Sequence, residues 1–393
     1  MPETKAVCLK LRKEKKPVSG GKIEGEQTMS IDRRRFIQGT SAVALGAISY
    51  ETPHAAAKSP GELTVALNGG EYAKACIEAY VKPFEAETGI KVTSISDEVS
   101  ASQLELMVST NSVSLDVIPV ESYMDAQAPK KGYLEKIDYS IYKKDELDAI
   151  LDFTKTAYSV GSIVYAFCMV YNTEKFPAGK PRPASWAEFW DVSEYPGVRT
   201  LVSGEGGSQG PWEQALLADG VPADAIYPID IDRVFASLDK IKPHIRKWWT
   251  TGSEIQQMMH DKVVDLAESY DGRATVLRDG GAPIEINRNQ SLLTWEGWGI
   301  PKGSPNGHNA QRFIEFITRA DRQAAFVQLM PYGPANRNAF KLIPKELGRK
   351  FASYPDYLAS SIPHNPKWYA EVGSDGATNA ERLTQRWNEW VLQ

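Results

Sequence analysis

The chain is poor in cysteine, with Cys8, Cys76 and Cys168 as the whole complement of 393 residues, and it has no Cys-x-x-Cys or Cys/His spacing of a metal site. This excludes a disulfide-stapled scaffold and a zinc-finger type of fold. Histidine is scarce too: His54, His244, His260, His308 and His364 are scattered, and neither His-Glu-x-x-His nor a phosphate-binding P-loop is present. Long apolar runs are missing. The segment that comes nearest, Ala42 to Tyr50, has nine residues, against the ~20 needed to span a bilayer. There is no internal repeat, and nothing of low complexity beyond the Lys-rich first 28 residues. Positive charge is in deficit, 45 Lys and Arg against 50 Asp and Glu, which disfavours nucleic acid or an anionic membrane as a partner.

What is present is a globular composition, 42% hydrophobic and 24% charged, on a chain long enough for two domains with full cores. The N-terminus is a separate matter. Asp32-Arg33-Arg34-Arg35-Phe36 precedes a weakly apolar run, Thr40 to Ile48, and then Ala55-Ala56-Ala57, the layout of a twin-arginine export signal with a small-residue cleavage site. Met29 stands just ahead of it, so residues 1–28 read as an over-called start and 29–57 as the signal. Cleavage after Ala57 removes ten basic and six acidic side chains and leaves 35 against 44, a net charge of −9. The expected location is the periplasm. Cys76 and Cys168 then remain, both in patterns of small buried hydrophobes, and an oxidising compartment permits a bridge between them.

The mature chain alternates apolar runs with helical periods. Leu63–Leu67 reads as a strand, Glu71–Glu87 as a helix stopped by Gly89, and Ile90–Ile95 as the next strand. Ser102–Ser109 is helical, Leu115–Val120 a strand, and a helix begins near Glu121. Ser162–Tyr171 is longer and more apolar than a half-exposed strand, as in a chain passing between two lobes. The middle of the chain continues the alternation, and helices follow near 309–319 and 320–330. Such a pattern implies crossovers and a mainly parallel sheet covered on both faces.

Open α/β sheets bind ligands beyond the carboxyl ends of their strands. The candidates are therefore Asn68 to Tyr72, Glu121 to Tyr123, Ser203 to Gln209, Tyr270 to Arg273, Thr294-Trp295-Glu296 and Tyr332. Tyr, Trp and carboxylates in one cleft suit an organic ammonium, since ring faces attract cations and carboxylates accept charge-assisted hydrogen bonds. The mature chain's 44 acids offer many carboxylate pairs, but nothing singles out two of them for acid–base work, so no catalysis is expected.

Four ordered blocks carry a resemblance. NGGEYAKACIEAYVKPFEAETGIKV (68–92), KWWTTGSEIQQMMHDKVVDLAESYDGRA (247–274) with its ESYDGRA end (268–274), SLLTWEGWGIPKGSPN (291–306) and YGPANRNA (332–339) resemble the spermidine/putrescine-binding family of periplasmic solute-binding proteins of ABC importers. The resemblance implies a two-lobed type II periplasmic-binding fold, two α/β lobes joined by crossing hinge strands, with residues 58–165 and about 300–393 in lobe 1 and 166–299 in lobe 2. It implies a non-enzymatic monomer without cofactor or metal, which closes on a small amine or amino acid and delivers it to an ABC permease in the inner membrane. Glu296, five residues before Pro301, matches the family's acid for an amino group, and Tyr270, Tyr332 and Tyr72 match its aromatics. Departures are informative. Gly69 replaces a Trp of the polyamine binders. Glu121-Ser122 replaces a hydroxyl-rich loop. In Ser203–Gln209 only Glu205 remains as an acid. Arg273, beside Asp271, either forms a salt bridge to that acid or across the hinge, or offers a bidentate site for a ligand carboxylate. The implied ligand is a putrescine- or spermidine-like amine, with a zwitterion such as γ-aminobutyrate as the alternative.

Overall fold

The first strand–helix–strand unit folds as its periodicity dictates. In the computed structural model, which describes residues 61–96 and 99–393, β1 (Glu62–Leu67) and β2 (Lys91–Ser96) run parallel, joined by α1 (Gly70–Cys76) and α2 (Lys82–Thr88), which are continuous through a π-helical stretch. Gly89 ends the helix at φ 72°, a left-handed cap that glycine adopts without steric cost. α3 (Ala101–Ser109) starts in a Ser100/Gln103 capping box. Val117 bridges to Val65, and β3 (Ile118–Glu121) leads into α4 (Ser122–Lys131) and α5 (Lys144–Ala149). The expected twin-arginine signal and its cleavage site lie outside the described residues. Among the described residues no helix is long and apolar enough to cross a membrane.

β4 (Ser159–Asn172) then leaves this lobe. The second lobe is built from α6 (Trp186–Trp190), β5 (Arg199–Val202), α7 (Trp212–Ala218), α8 (Ile231–Ile241), β6 (Ile245–Trp249), α9 (Gly252–His260), β7 (Leu266–Tyr270) and α10 (Asp271–Asp279), with β5 parallel to both β6 and β7. β8 (Ile284–Gly299) returns antiparallel to β4 from one end to the other, Asn172 facing Ile284 and Ser159 facing Gly299. At one end β3 pairs with β8, and at the other β7 pairs with β4. Two long strands therefore carry a lobe at each end, and the sheet is mixed where an all-crossover reading expects it parallel. The strands approach closely: a Cβ on Gly297 would lie 2.2 Å from the Val160 carbonyl oxygen, so only glycine fits. Midway the ladder breaks. Phe167 faces Leu292 but Met169 faces Asn287, which leaves Arg288–Ser291 outside it.

After β8, α11 (Gly307–Ile317) and α12 (Ala320–Val327) bury Phe313, Phe316 and Phe326 in one core with Leu63, Val65 and Phe84. β9 (Gly333–Pro334) joins β4; α13 (Lys345–Gly348) and α14 (Pro355–Leu358) follow; β10 (Ile362–Pro363) lies parallel to β8; α15 (Pro366–Ala370) and α16 (Asn379–Val391) complete the described chain. The expected placement of everything from about 300 to 393 in lobe 1 needs correcting. From Ile362 onward the apolar side chains enter the second lobe's core, because Leu383, Trp387 and Trp390 form one helical stripe on α16 that packs on Trp212, Phe235 and Trp248. The permitted disulfide is absent: Cys76 and Cys168 are free, buried thiols in different cores.

Candidate functional site

Alternation along β8 sorts its side chains. Trp295 is 2% exposed among Leu151, Val164 and Ala335 beneath the crossing strands, and Glu296, the next residue, takes the opposite face. Trp295 is thus a core residue, and its expected place in the site is corrected. The Glu296 carboxylate accepts from Tyr72 Oη at 3.1 Å and from Asn68 Nδ2 at 3.3 and 3.4 Å. The β3–β8 register sets Glu121 directly opposite Glu296. Carboxylates at paired positions repel, and together they concentrate negative potential where a ligand cation would be stabilised. A depression of about 500 Å³ beside them is lined by Asn68, Pro119, Glu121, Tyr123, Gln127 and Glu296. Ser122 is buried at the start of α4, with its hydroxyl 3.4 Å from that of Thr294.

A run of tyrosines leads away from the acidic pair towards the second lobe. Ring centroids are 6.3 Å apart for Tyr72–Tyr332, 6.4 Å for Tyr332–Tyr165 and 6.0 Å for Tyr165–Tyr270, all inclined contacts. Phe326 backs Tyr72 at 5.5 Å, and Phe167 and Trp249 back Tyr270 at 4.7 and 5.4 Å. Burial first and Glu296 second push the Tyr72 phenol well above its usual range. Burial followed by Glu121 does the same to Tyr165. Tyr270 is pushed up to about 12 by burial, then by Glu268 and Glu121, and Tyr332 is raised by burial, then by Glu296. All four stay neutral at physiological pH, where each can donate a hydrogen bond or present a ring face.

Arg273 lies in the first turn of α10, one turn from Tyr270. Its charge acts on both Tyr270 and Tyr332, and it opposes the upward push on each phenol. Gly252 leaves room for it: a Cβ there would stand 3.2 Å from Arg273 Nε. The expected neighbour pair does not form. Asp271 is 3% exposed; its carboxylate receives Arg288 Nη1 at 2.8 Å and the Ala166 N–H at 3.0 Å. Asp271 is therefore an internal brace and not a ligand-facing acid. Among the described residues Arg273 makes no ion pair, and its Nη1 donates to the neutral Gln256 Oε1 at 3.2 Å.

Glu205 is exposed in a short turn, where its own N–H is held by Ser203 Oγ. From that loop it is Gln209, not Glu205, that reaches the aromatic run, accepting from Tyr270 Oη at 3.4 Å. Tyr165 escapes sequence reasoning because it sits inside the apolar run of β4. Its signal is an incomplete burial in a strand otherwise buried throughout. Gly206–Gly210 also spells Gly-x-Ser-x-Gly between β5 and α7, the outline of a nucleophile elbow. No triad results, because His364 meets the backbone carbonyl of Ser208 at 2.8 Å through Nε2, not its hydroxyl.

Two α/β lobes linked by crossing strands are the architecture of a receptor for a small polar or amine-type solute. The chain belongs to the bacterial extracellular solute-binding proteins, whose family model matches residues 79–357. It is a non-catalytic solute-binding protein of an ABC transport system. It is 31% identical over 336 residues to a γ-aminobutyric acid-binding protein of Pseudomonas aeruginosa, covering 84% of this chain and 91% of that one. It is 25% identical over 309 residues to a spermidine/putrescine-binding periplasmic protein of Escherichia coli, covering 75% and 85%. A solved GABA receptor structure superposes with a TM-score of 0.73 at 32% identity, covering 84% of this chain and 97% of that one.

Proposed function

We propose that the protein captures a short ω-amino acid of the γ-aminobutyrate kind between its lobes and hands it to an ABC permease after export by the twin-arginine route. The ammonium sits at Glu296, with Glu121 and Asn68 beside it. The methylene chain lies along Tyr72, Tyr332, Tyr165 and Tyr270, and the carboxylate meets Arg273. One observation carries the reading: the buried Arg288 takes up Asp271, so the Arg273 charge has no acidic partner among the described residues and lies beside Tyr270 and Tyr332. A polyamine has no group to complement a guanidinium, which costs free energy to desolvate uncompensated. The 31% identity to a γ-aminobutyric acid-binding protein supports the same choice over a polyamine.

Titration calorimetry of the refolded, ligand-stripped protein with γ-aminobutyrate, putrescine and spermidine tests it. The expected result is binding of γ-aminobutyrate that weakens at least ~10-fold in Arg273→Ala, the loss of a charged hydrogen bond. Tight putrescine binding that Arg273→Ala leaves unchanged would overturn the zwitterion reading and favour the amine.

A further inference from the structure

α10 carries Arg273 and follows Tyr270, so its placement sets one wall of the site. Both of its ends are linked to a single residue of the other lobe, Lys350, next to Phe351 of the first core, the start through Arg288 and the end directly. At the start of the helix, Arg288 Nη1 donates to Asp271 Oδ2 at 2.8 Å while Nη2 donates to the Lys350 carbonyl at 2.5 Å. At its end, Lys350 Nζ pairs with Asp279 Oδ2 at 2.5 Å. The inner contact is protected: the Arg288 and Asp271 side chains are 10% and 4% exposed, and Tyr357 lies under the guanidinium at 5.4 Å. The outer one is a surface pair, with both side chains near 40% exposed.

Arg288 reaches both lobes because it stands in the break of the β4–β8 ladder, and that break is fixed on all sides. Gln290 Oε1 accepts from the Trp186 N–H at 2.9 Å, and the Gln290 carbonyl from Trp186 Nε1 at 3.0 Å. The Gln290 N–H donates to the Ser360 carbonyl at 2.8 Å. Asn289 Nδ2 donates to the Ala184 carbonyl at 2.9 Å. Backbone and amide groups freed from the ladder are thus taken up elsewhere, so the excursion is a rigid mount for one guanidinium.

We infer that Arg288 is a positioning residue that ties α10 to the opposite lobe, and so sets the lobe opening of the ligand-free protein and the aim of Arg273. The role needs a planar fork, since one donor goes to a carboxylate and its neighbour to a carbonyl on the other lobe. A lysine can neutralise Asp271 but cannot serve both acceptors in that geometry.

The test uses spin labels on cysteines introduced at the exposed Ser109 and Arg246, one per lobe, with the buried Cys76 and Cys168 left in place. Distance distributions are measured without ligand by pulsed electron resonance in the parent, Arg288→Lys and Lys350→Ala. The expected outcome is a distribution shifted or broadened beyond the parent's width in Arg288→Lys and unchanged in Lys350→Ala, which keeps the carbonyl. A lower melting temperature in Arg288→Lys with the parent's distribution would mean mere structural support and overturn the assignment. An equal change in both variants would move the link to the surface pair and overturn it too. Since no ligand enters, failure here is distinct from failure of the γ-aminobutyrate reading. With γ-aminobutyrate as probe, Arg288→Lys is expected to weaken binding roughly tenfold, by lowering the fraction of binding-competent molecules.

Discussion

Glu268→Gln should flatten the dependence of stability on pH. Glu268 is fully buried on β7, two residues before Tyr270, where its Oε2 accepts from the Val202 N–H at 3.1 Å and its Oε1 lies 2.5 Å from the Gln214 amide. Burial pushes its carboxyl up to about 8, against the opposing Val202 N–H and with the help of Glu213. The ordinary value of ~4.3 applies to the unfolded chain. Between those values the folded state holds a proton that the unfolded state has lost. Stability from this group is therefore greatest below ~4.3, falls as pH rises to about 8, and is level beyond. At about 1.4 kcal/mol per unit the whole window is worth at most ~5 kcal/mol. In the parent Gln214 Nε2 donates to Glu268 Oε1; with the Gln214 amide turned over, a glutamine at 268 accepts from the Val202 N–H through its carbonyl and donates through its NH2 to Gln214 Oε1, which has no other partner. Urea denaturation of parent and variant from about pH 5 to pH 9 isolates the group, because every other titration is common to both. His364 is one such group; burial holds its pKa down, which gives stability the opposite slope. Parallel curves for the two proteins would refute the reasoning.

Three further outcomes are expected. Glu296→Gln should weaken γ-aminobutyrate binding by ~10- to 100-fold in calorimetry, as one charged hydrogen bond is lost while Glu121 remains. Full affinity in that variant would remove Glu296 from the site. Trp295→Ala should lower stability by about 3–5 kcal/mol in denaturant while the molecules that remain folded keep their affinity; a selective loss of binding would return Trp295 to the cleft. Gly297→Ala should lower the melting temperature, because its Cβ would collide with the Val160 carbonyl, and an unchanged melt would contradict the close strand approach.

Much of the fold is legible because local period and burial agree. The Leu63–Leu67 strand, the helix stopped by Gly89 and the helix over 102–109 stand where pattern puts them. What periodicity does not encode is pairing. The antiparallel course of β4 and β8, and the return of Ile362–Val391 to the second lobe, depend on contacts between residues far apart in sequence. The site divides in the same way. Glu296 accepts from the Tyr72 hydroxyl, whereas Asp271, which the sequence leaves open as a partner for Arg273, is held by a residue seventeen positions on, Arg288. Trp295 and Glu296 are neighbours in sequence and opposite in role, because a strand turns alternate side chains to opposite faces.

The place of α16 has a consequence for biosynthesis. It follows every other described element in the chain, yet its tryptophans pack on Trp212, Phe235 and Trp248, made about 140 to 175 residues earlier, with Trp390 Nε1 bound to Asp239 at 2.7 Å and Lys242 over the same ring. The second lobe therefore cannot complete its core until α16 has been made, although chains generally consolidate their earlier domains first. Until the final helix arrives, Trp212, Phe235 and Trp248 lack their cover. A chain without α16 displays that aromatic surface to chaperones and proteases.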